Sequence, residues 1–313
     1  MSRAFVFPGQ GSQAVGMGVD LAAAFAVARE VFQEVDEALK QNLSKLMREG
    51  PEGDLVLTEN AQPALMAVSV AAARVLEKEG GKSLPEMAAF VAGHSLGEYS
   101  ALAAAGALSL ADAARLLKRR GLAMQKAVPV GVGAMAALLG IELEPALEAC
   151  EEAAQGEVVS VANDNGGGQI VVSGHKTAVE RAVEAAKSKG CKRGMLLPVS
   201  APFHCPLMRP AADEMAEALE GVAIAPPRVP VITNVSADET SDPATIKKLL
   251  IEQVTGRVRW RECVLAMKGK GVDTLVEVGT GKILTGLVKR IDREMTGLAV
   301  NAPADVEAFL KTT

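Results

Sequence analysis

The stretch FVAGHSLGEYSA, residues 90–101, decides how the chain is read. Its centre, Gly93-His94-Ser95-Leu96-Gly97, fits G-x-S-x-G, the pattern of a serine held at the tip of a tight strand-to-helix turn. The flanks supply the matching context. Met87–Ala92 is an apolar strand candidate, and Glu98–Ala105 is Ala-rich and reads as a helix. Small residues at 93 and 97 let strand and helix pack closely around the turn. The helix N-terminus behind Ser95 favours developing negative charge. An ordinary glycine turn can also carry these five residues, but the strand before and the helix after favour nucleophile chemistry on an acyl group. The pattern leaves open whether water or another carrier receives that group.

The same alternation extends outward. Ala4–Phe7 is a short strand followed by the turn PGQGSQ, and Leu21, Phe25, Ala28, Val31, Phe32 and Val35 recur at helical spacing. Helices are expected over Pro63–Glu79 and Leu110–Val128, which gives an α/β chain with a parallel sheet. From Gly133 the texture changes. Strand Gly133–Gly140, helix Glu142–Ala154, strands Val158–Ala162 and Gln169–Ser173, helix Lys176–Ser188 and strand Lys192–Val199 follow in turn. That order is βαββαβ, the ferredoxin-like pattern. Beyond Pro202 the α/β texture returns, with helix Pro206–Glu220, strand Val231–Asn234, helix Pro243–Glu252, strand Thr274–Val278 and helix Lys282–Ile291. The expected organisation is a hydrolase-like parallel-sheet core, residues 1–128 and 200–313, with a ferredoxin-like small domain, residues 129–199, inserted into it.

Composition narrows the function classes. The 313 residues are 49% hydrophobic, enough for one large core with a smaller one inserted. A net charge of −5 and 3% aromatic residues argue against nucleic-acid binding, which needs a basic surface or stacking platforms. Four cysteines (150, 191, 205 and 263) show no C-x-x-C spacing and suit a reducing compartment. Three histidines without H-E-x-x-H make a metal site a poor expectation. The N-terminal apolar run breaks at Pro8, and the uncharged stretch Ala127–Ile141 is too short and too rich in glycine to span a bilayer. The expectation is a soluble cytoplasmic protein with no membrane partner and no cofactor.

The base for Ser95 is found by elimination. His94 adjoins it, and neighbouring side chains point apart, so His94 is expected to shape the turn. His175 opens a helix, where a surface or capping role is the simpler reading. His204, in SAPFHCP at the return to the core, lies in an irregular junction loop of the kind that carries catalytic groups. A Cys205 nucleophile is the alternative, set against a small buried thiol. Gly9-x-Gly11 lacks the second strand and acid of a dinucleotide fingerprint, and Gly281-Lys282 lacks the rest of a phosphate-binding loop. PGQGSQ can instead bring one backbone N–H to a reacting carbonyl, with the N–H of Leu96 as the second donor. Arg119 and Arg120, taken alone, read as a solvated basic helix end.

Several segments together resemble one family. FVFPGQGSQAVGMG, ENAQPALMAVS, GHSLGEYSALAAAGALS, RRGLAMQKAVPVGVGAMAALLG, NDNGGGQIVVSG, APFHCPLM and EVGTGKILTGL are similar to malonyl-CoA:acyl carrier protein transacylases and to the acyltransferase domains of fatty acid and polyketide synthases. The likeness covers nearly the whole chain in order. It implies that Ser95 accepts the acyl group, that His204 is the base and that Arg120 binds the malonyl carboxylate. It puts Gln10 and Leu96 at the oxyanion hole and makes Gln253 and Asn163 active-site residues. It also implies a Ser–His dyad whose histidine is oriented by a backbone carbonyl. The family's EVGPG is EVGTG here, which changes turn rigidity at Thr280 and leaves the chemistry intact.

By the same resemblance, malonyl-CoA and acyl carrier protein are the expected partners and CoA a product, in fatty acid biosynthesis; a stand-alone chain of this length fits a monomer. A carrier of acidic character needs a basic docking patch. Lys187, Lys189, Lys192 and Arg193 are candidates, weighed against a merely soluble helix end. Three other readings stay open: a serine thioesterase or esterase on the same turn, a polyketide-pathway acyltransferase, and a non-catalytic carrier-binding subunit.

Overall fold

The computed structural model describes residues 2–312, which form a mixed α/β protein built on a parallel-sheet core. Its ten strands are β1 (Arg3–Phe7), β2 (Phe90–Gly93), β3 (Gly133–Leu139), β4 (Val159–Asp164), β5 (Gln169–His175), β6 (Arg193–Leu196), β7 (Val231–Ile232), β8 (Glu239–Thr240), β9 (Thr274–Val278) and β10 (Thr296–Val300). Six of them form one sheet in the order β10-β9-β1-β2-β7-β8. All neighbours in it are parallel except β8, which runs antiparallel along the edge. Strands β1 and β2 read as unbroken apolar runs because helices cover both faces. Phe7 pairs with Gly93, so the PGQG turn and the serine turn leave neighbouring strands at the same level. Sites in open α/β sheets form at such carboxyl ends.

The remaining four strands form an antiparallel sheet in the order β4-β5-β3-β6. Helices Leu143–Ala154 and Lys176–Ser188 pack together against it. Ala136, Leu138, Ile170, Val172, Ala146 and Val179 belong to an apolar cluster of its own. The edge strand β4 is tied to the rest of the protein through Val258, whose N–H bonds to Ala162 O and whose carbonyl accepts from Asp164 N–H. A salt bridge of 2.8 Å between Arg261 and Asp164 secures the same seam.

Several boundaries differ from expectation for identifiable reasons. The helix expected from Pro63 runs over Thr58–Gly80. It is buried along most of its length, so packing outweighs the one hydrogen bond that Pro63 forfeits. The strand expected from Met87 starts at Phe90, because Leu84–Met87 forms a helical turn. Glu86 caps that turn by accepting from the N–H and hydroxyl of Ser83. Strand Val231–Asn234 stops at Ile232, and Asn234 turns towards the serine. The last strand–helix unit, β10 and Pro303–Leu310, is not anticipated from the sequence. β10 is a short edge strand, TGLAV, and its glycine and alanine give it little strand propensity.

Among the described residues no helix is long and apolar enough to cross a membrane. Trp260, the largest fully buried side chain, packs where the helix that it opens meets the sheet and His94. Trp260→Ala is expected to lower the unfolding free energy by about 3–5 kcal/mol, measured by urea denaturation followed by circular dichroism.

Candidate active site

Ser95 sits between β2 and the Gly97–Ala104 helix with φ at +53°, a left-handed backbone that costs energy in a residue with a Cβ. The turn is compact because its flanking glycines leave no room for side chains. A Cβ on Gly93 would lie 1.9 Å from the backbone of Gly97, and one on Gly97 would lie 2.3 Å from Phe7 O. Asn234 pins the turn from the end of β7. Its Oδ1 accepts from Ser95 N–H at 2.7 Å, and its Nδ2 donates to Gly93 O at 2.7 Å.

His204 lies 109 residues away in sequence, yet its Nε2 is 2.7 Å from Ser95 Oγ. Its Nδ1 faces two backbone carbonyls, Gln253 O at 2.9 Å and Gly256 O at 3.2 Å. Carbonyl oxygens only accept, so Nδ1 carries the proton and Nε2 is free to accept the serine proton. Among the described residues no carboxylate takes part in this arrangement. Like Ser95, His204 has a positive φ, +58°. Burial, reinforced by the Arg120 guanidinium, pushes its pKa down to about 3, so the imidazole is neutral at ordinary pH.

Arg120 projects from the Leu110–Ala127 helix and is 1% exposed, not a solvated helix end. Its Nη1 donates to Gln62 Oε1 at 2.8 Å, and its Nη2 donates to Gln253 Oε1 at 2.9 Å and to Ser95 Oγ at 3.1 Å. Tyr99 presents its ring 5.7 Å away. Among the described residues no carboxylate forms an ion pair with Arg120, and its Nε has no partner. Its hydrogen-bond partners, two amide oxygens and the Ser95 hydroxyl, are all neutral, and Glu98 acts on it only as a charge without an ion pair. A buried cation so held is costly, and an anionic group beside Ser95 would relieve that cost.

The oxyanion positions join the same network. Gln62 donates to Thr58 Oγ1 at 2.9 Å, and Thr58 donates to Gln10 Oε1 at 3.0 Å, which links Arg120 to the PGQG turn. No protein acceptor occupies the N–H of Gln10 or of Leu96 among the described residues, so both are free to bind an oxyanion. Glu98, on the first turn behind Ser95, is buried. Burial raises its carboxyl to about 7 against the opposing hydrogen bonds of Asn234 and Gln253 and the charge of Arg120.

The structure brings together Ser95, His204, Arg120, Gln253, Gln10 and Leu96. Asn163 is not part of this set. Its side chain makes no hydrogen bond among the described residues, and a bulge between Val161 and Asn163 interrupts the alternation of β4 there. Two residues on, Asn165 Oδ1 lies 2.9 Å from His94 Nε2, so His94 faces Asn165 and Trp260 rather than Ser95. Cys205 is buried, and its thiol donates to Pro202 O. The proposed basic patch also needs correction. Lys187 pairs with Glu184, and Lys189 with Glu148 and Glu152, so of these four Lys192 and Arg193 are outside ion pairs among the described residues. Acids on two helices, one of them a turn before Lys187 and the others about 40 residues away, neutralise half of it. Gln62, Asn234 and Glu98 had no assigned role. Asn234 carried a signal nonetheless, as a polar residue at the carboxyl end of an apolar parallel strand.

The low pKa of His204 has a consequence for stability. Between the ordinary histidine value of 6.5 and about 3, the unfolded chain takes up a proton that the folded protein refuses. Stability is therefore expected to fall as pH drops through this window. His204→Gln should show a shallower fall, checked by urea denaturation of both proteins from pH 7 to pH 4.

Comparison with known proteins agrees with this geometry. A family model described as "Acyl transferase domain" matches residues 4–303. The malonyl CoA-acyl carrier protein transacylase of Escherichia coli K12 is 48% identical over 308 residues, 98% of each chain. The crystal structure of an acyl-carrier-protein S-malonyltransferase from Bartonella henselae superposes with a TM-score of 0.97 at 55% identity, covering 100% of this chain and 99% of the other. A malonyl-transacylase solved in complex with a type II PKS acyl carrier protein superposes at 0.96 with 45% identity over the whole of both chains. With its family model spanning nearly the whole sequence and its serine, histidine and arginine gathered at one turn, the chain belongs to the acyltransferase family.

Proposed function

We propose that this protein transfers malonyl from malonyl-CoA to the phosphopantetheine thiol of acyl carrier protein through a malonyl ester on Ser95, in fatty acid biosynthesis. The observation that carries the reading is the contact between Arg120 and Ser95 Oγ, 3.1 Å, by a buried guanidinium that has no carboxylate of its own. An acyl group attached to Ser95 and ending in a free carboxylate would place that anion on Arg120 with charge-assisted hydrogen bonds. A neutral acyl group would leave the cation unpaired.

In this mechanism Ser95 Oγ attacks the thioester carbonyl as its proton passes to His204 Nε2. The N–H groups of Gln10 and Leu96 hold the oxyanion. On collapse the C–S bond breaks, His204 returns the proton to the departing thiolate, and CoA leaves as a thiol. The pantetheine thiol of the carrier then attacks the ester, gives its proton to His204, and Ser95 leaves as the restored alcohol. One nucleophile serves two half-reactions, which gives ping-pong kinetics. The Arg120 charge depresses His204 in the free enzyme, and a bound carboxylate offsets that charge, so the base strengthens when the correct acyl group is present. The carbonyls of Gln253 and Gly256 orient the imidazole in place of a third charged member.

Within this reading the four-stranded sheet and its two helices, residues 129–199, are a ferredoxin-like domain inserted into a hydrolase-like core of residues 1–128 and 200–313. In local numbering the strand order is 2-3-1-4, the arrangement of that fold. The protein needs no cofactor of its own, since both pantetheine arms belong to its substrates. It acts as a monomer in the cytoplasm. Lys192 and Arg193, outside ion pairs, remain as carrier contacts.

With malonyl-CoA and no carrier, mass spectrometry should find a malonyl adduct on Ser95, absent in Ser95→Ala. Adding holo acyl carrier protein should move the malonyl group to the carrier. Free malonate as the main product would make the protein a thioesterase instead. Arg120→Ala should lower kcat/KM for malonyl-CoA by about a hundredfold or more, the scale for truncating one partner of a buried charge pair. Preference over acetyl-CoA should be lost with it. An unchanged preference removes Arg120 from acyl selection.

A further inference from the structure

Glu98 is 1% exposed, and no step of the chemistry above uses it. A single oxygen, Oε2, accepts two hydrogen bonds, from Asn234 N–H at 2.9 Å and from Gln253 Nε2 at 3.0 Å. The two donors lead to different halves of the site. Asn234 spans the strained turn, taking Ser95 N–H and giving to Gly93 O. Gln253 directs its Nε2 towards Glu98 and Ser95 O, and its Oε1 towards Arg120. Its own backbone carbonyl holds His204.

The sense of the Gln253 amide therefore matters. Turned over, it would aim its NH2 group at the guanidinium, donor against donor, and its oxygen at Glu98 and Ser95 O, acceptor against acceptors. Acceptors on one side and a donor on the other fix the working orientation. Removing the Glu98 acceptor weakens that discrimination and leaves the Asn234 N–H unsatisfied in a dry interior.

We infer that Glu98 is a positioning residue for acyl-group selection: its Oε2, with Ser95 O and Asn234 Oδ1, sets the sense of the Gln253 amide, which holds Arg120 in place, and also braces the Ser95 turn through Asn234. The inference rests on Arg120 binding the free carboxylate of the acyl group. Its physical requirement is lone pairs at the position of Oε2, which an amide oxygen also supplies. Glu98→Met removes the acceptor at similar volume, whereas Glu98→Gln can keep it.

The test is the single-turnover rate of Ser95 acylation by malonyl-CoA and by acetyl-CoA. Glu98→Met should lower the malonyl rate relative to the acetyl rate by about tenfold or more, while Glu98→Gln restores most of the malonyl preference. Equal loss of both rates in Glu98→Met, or no loss, overturns the inference, as does a Glu98→Gln variant no more selective than Glu98→Met. Should Glu98→Met fail to fold, Glu98→Asp, which withdraws the oxygens by one methylene, is read by the same ratio. A wild-type protein that takes no malonyl on Ser95 would defeat the reading of the enzyme itself. A selective wild type beside an equally selective Glu98→Met variant would defeat only the role of Glu98.

Discussion

A buried guanidinium without a carboxylate partner is the feature on which the rest of this site depends. Arg120 is withdrawn from water and held by the amide oxygens of Gln62 and Gln253 and by Ser95 Oγ. Desolvating a charge on neutral partners alone is expensive. A protein selected only for stability would pair it or replace it with an apolar side chain. Here the charge lies beside a nucleophilic oxygen, and in the proposed reaction the acyl group on Ser95 brings the anion that the site lacks. Burial first, and the same charge after it, hold the His204 pKa low. In the proposed function, selection of the acyl group and readiness of the base both draw on this one charge.

The geometry that holds this arrangement is strained at two points. Ser95 and His204 both carry positive φ angles, and both are fixed by hydrogen bonds from distant parts of the chain. Asn234 braces the serine turn from the end of β7. Gln253, on the Pro243–Thr255 helix, reaches both Arg120 and His204. Such strain persists only where surrounding contacts over-determine it. The parallel sheet supplies that rigidity by bringing the ends of β1, β2 and β7 to one level.

Much of this is legible in the sequence, and the divide is physical. The serine turn is read easily because its constraints are local: two glycines are needed within five residues, between an apolar strand and a helix. The βαββαβ order of residues 133–199 is read for the same reason, since each element carries its own periodicity. His204 emerges from the residues alone only because three histidines leave little choice. Arg120 does not emerge that way. In sequence it is one basic residue at a helix end, and only its burial against Gln62 and Gln253 distinguishes it from Arg119, which pairs with Glu214 at the surface. Its role came from resemblance, as did that of Gln253. Glu98 and Asn234 are not legible in the sequence because the pairings that tie them to the serine turn and to Gln253 join residues 136 to 155 apart in the chain. The lysine patch misled for the opposite reason. Its charges are adjacent in sequence, but their acidic partners stand on another turn and another helix.

The central claim is that Arg120 holds the free carboxylate of an acyl group carried on Ser95. It is tested most directly by loading the enzyme with malonyl labelled with carbon-13 at that carboxylate and following its resonance with pH. The account predicts a titration midpoint well below that of a malonyl ester free in solution, because the guanidinium favours the ionised form. A midpoint equal to the free ester would mean that the carboxylate lies in solvent, and the account would be wrong.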